Sequence, residues 1–105
     1  MESKDFEYLK TLLKPIFKRN GVSRALLFGS KARNTETRKS DVDLLIVMDT
    51  DKRFFDRYDD FDEIHDLVND RGVDMLIYTA HELREISHRK FIRNVLAEGK
   101  TIYEH

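Results

Sequence analysis

The sequence predicts an α/β chain of the α+β kind, a small mixed sheet of three to four strands flanked by helices. Three observations carry that expectation. Short apolar runs recur at 23–28, 41–49 and 73–78, and the segments around them carry apolar residues at helical spacing instead. The middle run is apolar on both faces beyond its first residues, as a covered central strand must be. The chain has 105 residues, enough for one core, so residues 1–105 are read as a single domain.

The elements follow in order. Residues 3–19 place Phe6, Leu9, Leu12, Leu13, Ile16 and Phe17 on one helical stripe, and Asn20-Gly21 supplies the stop. Pro15 frees the carbonyl of Thr11 and is expected to kink or divide this helix. VSRALLFGS reads as a strand over 23–28, halted by Gly29, before a polar connection ending in NTETRKS, 34–40. DVDLLIVMD is the second strand. Residues 52–69 form the next helix, with Phe54, Tyr58, Phe61, His65 and Val68 on one stripe and Phe55, Ile64 and Leu67 widening it. Arg71-Gly72 ends it, and VDMLIY, 73–78, is the third strand. Thr79-Ala80-His81-Glu82 fits a capping box that opens a last helix through about Ala97, and TIYE adds a short edge strand.

Composition removes several function classes. Hydrophobic residues make up 40% and charged residues 37%, with a net charge of −1, so no global basic field points to direct nucleic-acid binding. The absence of cysteine excludes disulfides and thiolate metal sites. The N-terminal MESKDFEYLK is charged throughout and no apolar run approaches a membrane span, so the expected location is the cytoplasm. The four histidines share no metal spacing; His65 reads as a boundary core residue.

The chemistry lies where the strands meet. A helix between the second and third strands implies a parallel crossover if the two are neighbours, and the shorter link between the first and second permits an antiparallel pair. Gly29, Ser30, Asp41, Asp43 and Asp74 then converge at one end of one sheet. Asp41 and Asp43 are two apart in a strand, on one face, about 7 Å apart at the backbone. Three crowded carboxylates repel unless a cation intervenes. Hard oxygen ligands suit Mg²⁺ or Mn²⁺, and two such ions about 4 Å apart can hold the attacking and leaving oxygens of a displacement at phosphorus. After Gly29, amides and the Ser30 hydroxyl can receive a phosphate tail, with Lys31 and Arg33 balancing its charge, although no Walker loop is present.

Gly29-Ser30, ten residues, Asp41-Val42-Asp43 and a later strand bearing Asp74 resemble the minimal nucleotidyltransferases of the DNA polymerase beta superfamily. FGSKAR and SDVDLLI are similar to their two signature segments, and FIRNVLAEGKTIYE to their tail, so the resemblance covers nearly the whole chain. It implies the nucleotidyltransferase fold. It also implies metal binding by Asp41 and Asp43, assistance to the attacking hydroxyl by Asp74, and triphosphate binding by Gly29 and Ser30. Lys31 and the lack of a glycine after Arg33 depart from the common pattern. Small members resemble the antitoxin halves of toxin-antitoxin pairs, partnered with a helical HEPN-type ribonuclease toxin, and some transfer AMP from ATP to that toxin.

The expected activity is therefore Mg²⁺-dependent transfer of a nucleoside monophosphate, AMP from ATP, to a hydroxyl of a partner protein. A binding module that neutralises its partner by covering it is the alternative. A small-molecule transferase would need a homodimer cleft to supply its acceptor site. Asp49 and Asp51 form a second DxD and read as helix-capping residues. Arg84, His88, Arg89, Lys90 and Arg93 read as a solvated basic face, with Phe55 and Tyr58 as a candidate partner surface.

Overall fold

A computed structural model describes residues 4–29, 41–68 and 71–105. Helix α1 (Lys4–Arg19) leads into strand β1 (Val22–Phe28), followed by β2 (Val42–Met48). A 3₁₀ helix (Phe54–Phe61) runs into α2 (Asp62–Leu67), and then come β3 (Val73–Tyr78), α3 (Ala80–Ile86), α4 (Lys90–Glu98) and β4 (Lys100–Glu104). The sheet order is β3-β2-β1-β4. The β1–β2 and β1–β4 pairs are antiparallel and β2–β3 is parallel, so the mixed sheet and central β2 expected from sequence are both present.

Side-chain alternation sends the two faces of β2 to two layers. Leu44, Ile46 and Met48 pack with Leu9, Leu13, Ile16 and Phe17 of α1 and with Phe61 and Ile64, forming the larger core. Leu45 packs with Leu26 and Val95, bordered by Phe28, Leu76, Tyr78, Leu83 and Leu96, under α3 and α4. Asp41 and Asp43 share the parity of Leu45, and Asp74 that of Leu76. The acids therefore belong to the smaller, α4-side layer.

Two helical expectations are corrected, and of the two outcomes expected at Pro15 division does not occur. Helix α1 is continuous through Pro15; its buried Leu13, Ile16 and Phe17 bracket the proline and hold both sides to one sheet face, outweighing the lost backbone bond. The segment after β2 is not one α-helix. Its first part is 3₁₀, and three residues per turn rotate the stripe drawn at 3.6, leaving Phe55 81% exposed and His65 exposed. The last helix is broken between Ile86 and Lys90, where Ser87 and Arg89 donate backbone bonds to carbonyls three residues back, at Arg84 and Ile86.

The 3₁₀ segment is held by a buried arginine. Arg57 donates from Nε to the Lys52 carbonyl at 3.0 Å and from Nη1 to the Ile77 carbonyl at 3.0 Å. It also meets Glu82 through two bonds, of 2.7 and 2.9 Å. Tyr58, which is half-buried rather than exposed, donates its hydroxyl to the Met75 carbonyl at 2.7 Å. Arg57 and Tyr58 thus occupy alternate carbonyls on the outer edge of β3, which blunts an edge strand that could otherwise pair with another chain. Glu82 closes the expected capping box with Thr79. Asp49 and Asp51 do not cap: Arg53 stands at the N-cap of the 3₁₀ helix, with no side-chain bond there.

Candidate active site

Asp43 is placed by two strand pairings at once. It lies opposite Phe28 in the antiparallel β1–β2 register and opposite Asp74 in the parallel β2–β3 register. Asp41 precedes the first paired residue of β2, and the Val42 amide donates to the Gly72 carbonyl at 2.9 Å, fixing where β2 begins. The three acids and Gly29 thus share one end of the sheet.

Their electrostatics are those of crowded like charges. Partial burial, followed by the charges of Asp74 and Asp41 and a hydrogen bond with Asp74, pushes the Asp43 carboxyl from 3.8 up to about 6. Burial disfavours the charged form of Asp43, and the neighbouring carboxylates act in the same direction. Asp41 and Asp74 are solvent-exposed.

Two glycines make room for these carboxylates. Gly29 adopts φ +78°, the left-handed region, and a Cβ there would collide with Oδ2 of Asp43. Gly72 lies beside Asp41, where a Cβ would stand 2.9 Å from Oδ1. Gly29 was singled out in the sequence through the Gly-Ser turn, whereas Gly72 read only as a helix stop. Its signal was available in the parallel register, which sets residue 72 beside residue 41.

Ser30, Lys31, Arg33 and the 34–40 loop lie outside the described residues. Among the described residues no group of three His, Cys, Asp or Glu side chains is gathered about a metal-sized point. The convergence is thus partial: Asp43 and Asp74 are paired in register, and Asp41 acts on Asp43 through its charge. The donor chemistry still fits a hard divalent cation, since the carboxyls offer only oxygen and a cation would offset the repulsion of crowded like charges. Asp41, Asp43 and Asp74 are the residues that would hold it.

A groove of about 470 Å³ opens at the other end of the sheet, lined by Ser23, Asp49, Thr79, His81 and Arg84 among others. It is remote from the acids. No helix among the described residues is long and apolar enough to cross a membrane.

The chain is similar to several known proteins. A candidate protein adenylyltransferase of Methanocaldococcus jannaschii is 35% identical over 91 residues, covering 81% of this chain and 82% of its own. A second from the same organism is 33% identical over 72 residues, covering 69% and 76%. Among solved structures, a toxin-antitoxin with AMP-PNP superposes with a TM-score of 0.65 at 19% identity, covering 98% of this chain and 75% of that one. A complex of a tri-AMPylated Shewanella oneidensis HEPN toxin with an MNT antitoxin gives 0.59 at 12% identity, covering 95% and 73%. At these identities the structures establish the nucleotidyltransferase fold. The profile of the family described as polymerase beta, nucleotidyltransferase matches residues 11–105, so the chain belongs to that nucleotidyltransferase family.

Proposed function

We propose that the protein transfers AMP from ATP to a hydroxyl of a partner protein, in the cytoplasm, as the antitoxin of a HEPN-type toxin. The observation that carries this reading is the in-register Asp43–Asp74 pair beside Asp41, facing a glycine whose missing Cβ leaves room for the Asp43 carboxylate. The names borne by the relatives, protein adenylyltransferase and toxin-antitoxin, support the acceptor class.

The acceptor oxygen bonds to the α phosphorus of ATP as the bond from that phosphorus to the bridging oxygen breaks, and pyrophosphate leaves. Asp74, exposed at the start of β3, takes the hydroxyl proton. The amides after Gly29, the Ser30 hydroxyl, Lys31 and Arg33 receive the β and γ phosphates. Asp41 and Asp43, with Asp74 beside them, would hold Mg²⁺, which when bound neutralises phosphate charge and aligns the attacking and leaving oxygens. Asp43 must be ionised for this, so its raised pKa opposes activity under acid conditions.

Intact-mass spectrometry of the partner after incubation with this protein, ATP and Mg²⁺ tests the reading. A gain of whole AMP units that is absent with Asp43→Asn is the expected result. A stable complex with no mass gain would instead support neutralisation by covering alone.

A further inference from the structure

Phe91 sits in the first turn of α4 with 57% of its surface exposed, although α4 buries Ile92 and Val95. Its ring meets only the rim of the smaller core, edge to face with Phe28, centroids 6.0 Å apart and planes at 81°. Phe28 is in turn the direct cross-strand partner of Asp43. Cross-strand partners project from the same face with Cβ atoms about 5 Å apart, so an open aromatic surface stands beside the acids on the layer they occupy. Phe55 and Tyr8 are comparably exposed, but they belong to elements covering the opposite face. Arg89, Lys90 and Arg93, its neighbours in the chain, are also exposed.

We infer that the Phe28–Phe91 pair is the platform on which the nucleobase of the bound nucleotide stacks. This rests on the nucleotidyl-transfer reading and adds a specificity element to it. The ribose separates base from α phosphate, so a platform one strand-neighbour away from Asp43 lies within the span of a single nucleoside. Stacking on an aromatic face is tolerant of base identity, and Phe28 and Phe91 offer no hydrogen-bond partner to a base edge. The platform therefore selects nucleosides over bare polyphosphate more strongly than it selects one base over another.

The chain has no tryptophan, so a Phe91→Trp variant carries a single indole as reporter. With Mg²⁺ present, ATP should quench that indole while inorganic tripolyphosphate binds without quenching. Phe91→Ala, at an exposed position, should weaken ATP binding about tenfold and leave tripolyphosphate affinity unchanged. Equal ATP affinity in Phe91→Ala and wild type would overturn the platform and leave nucleotidyl transfer standing. Parallel loss of ATP and tripolyphosphate binding would also overturn it, because the ring would then merely support the site. A wild-type protein that binds neither ligand would overturn the transfer reading, and the platform with it.

Discussion

Asp43 and Asp74 are direct neighbours across the parallel β2–β3 pair, where partial burial, followed by the charges of Asp74 and Asp41, pushes the Asp43 carboxyl up to about 6. Strand register alone brings them together: Val42 opposite Val73 forces residue 43 opposite residue 74. Crowding of like charges costs the fold stability, a cost that a cation bound there would offset.

Asp43→Asn should therefore stabilise the metal-free protein at neutral pH. The folded pKa of Asp43 lies above its unfolded value, so the wild type loses stability as pH rises from 3.8 through about 6. A shift of about two units is worth ~3 kcal/mol in full. Solvent screening of this partly open group reduces that to on the order of 1 kcal/mol. Urea midpoints should favour the variant at pH 8 and coincide at pH 3. A variant less stable than wild type at pH 8 would contradict the repulsion.

The opposite sign holds for Glu82. Hydrogen bonding to Arg57, followed by the Thr79 backbone amide, lowers its carboxyl from 4.5 to about 2. Its contribution is complete above pH 4.5 and is lost as pH falls towards 2. Glu82→Gln should cost about 1–3 kcal/mol at pH 7, because it leaves the buried Arg57 guanidinium without its charged partner. Half-open exposure of Glu82 keeps the loss below that of a fully buried pair. Thermal melts at pH 7 and pH 2.5 should show the difference shrinking in acid.

Gly72→Ala should separate activity from stability. Its Cβ would meet Asp41 Oδ1, the mobile end of an exposed side chain, so the fold can yield by rotating the carboxylate. Stability should change by no more than about 0.5 kcal/mol. AMP transfer should fall by about tenfold or more, because Asp41 is displaced from its position. Gly29→Ala should harm both, since its left-handed backbone adds about 1–2 kcal/mol of strain. Equal activity in Gly72→Ala and wild type would remove Asp41 from the site.

Much of this was legible in the sequence because it depends on alternation and order. The two-faced apolar run from Leu44 to Met48 could belong only to a covered strand, and the helix after it required the parallel crossover that pairs Asp43 with Asp74. What escaped depended on contacts between distant residues. Arg57 looked like one charge among many, and only the fold brings Ile77 and Glu82 to its guanidinium. The 3₁₀ winding of Phe54–Phe61 was hidden because one amphipathic pattern fits both helix types over two turns, and His65 was misplaced as a result. Phe91 was not singled out in the sequence, and only the fold sets its ring edge to face with Phe28, the cross-strand partner of Asp43.

The most direct measurement incubates the protein, Mg²⁺ and its partner with ATP labelled at either the α or the γ phosphate, with Asp41→Asn and Asp43→Asn beside the wild type. Nucleotidyl transfer predicts partner labelling from the α position only, and none with either variant. Label arriving from the γ position, or α label undiminished in Asp43→Asn, would contradict the assignment of these aspartates to AMP transfer.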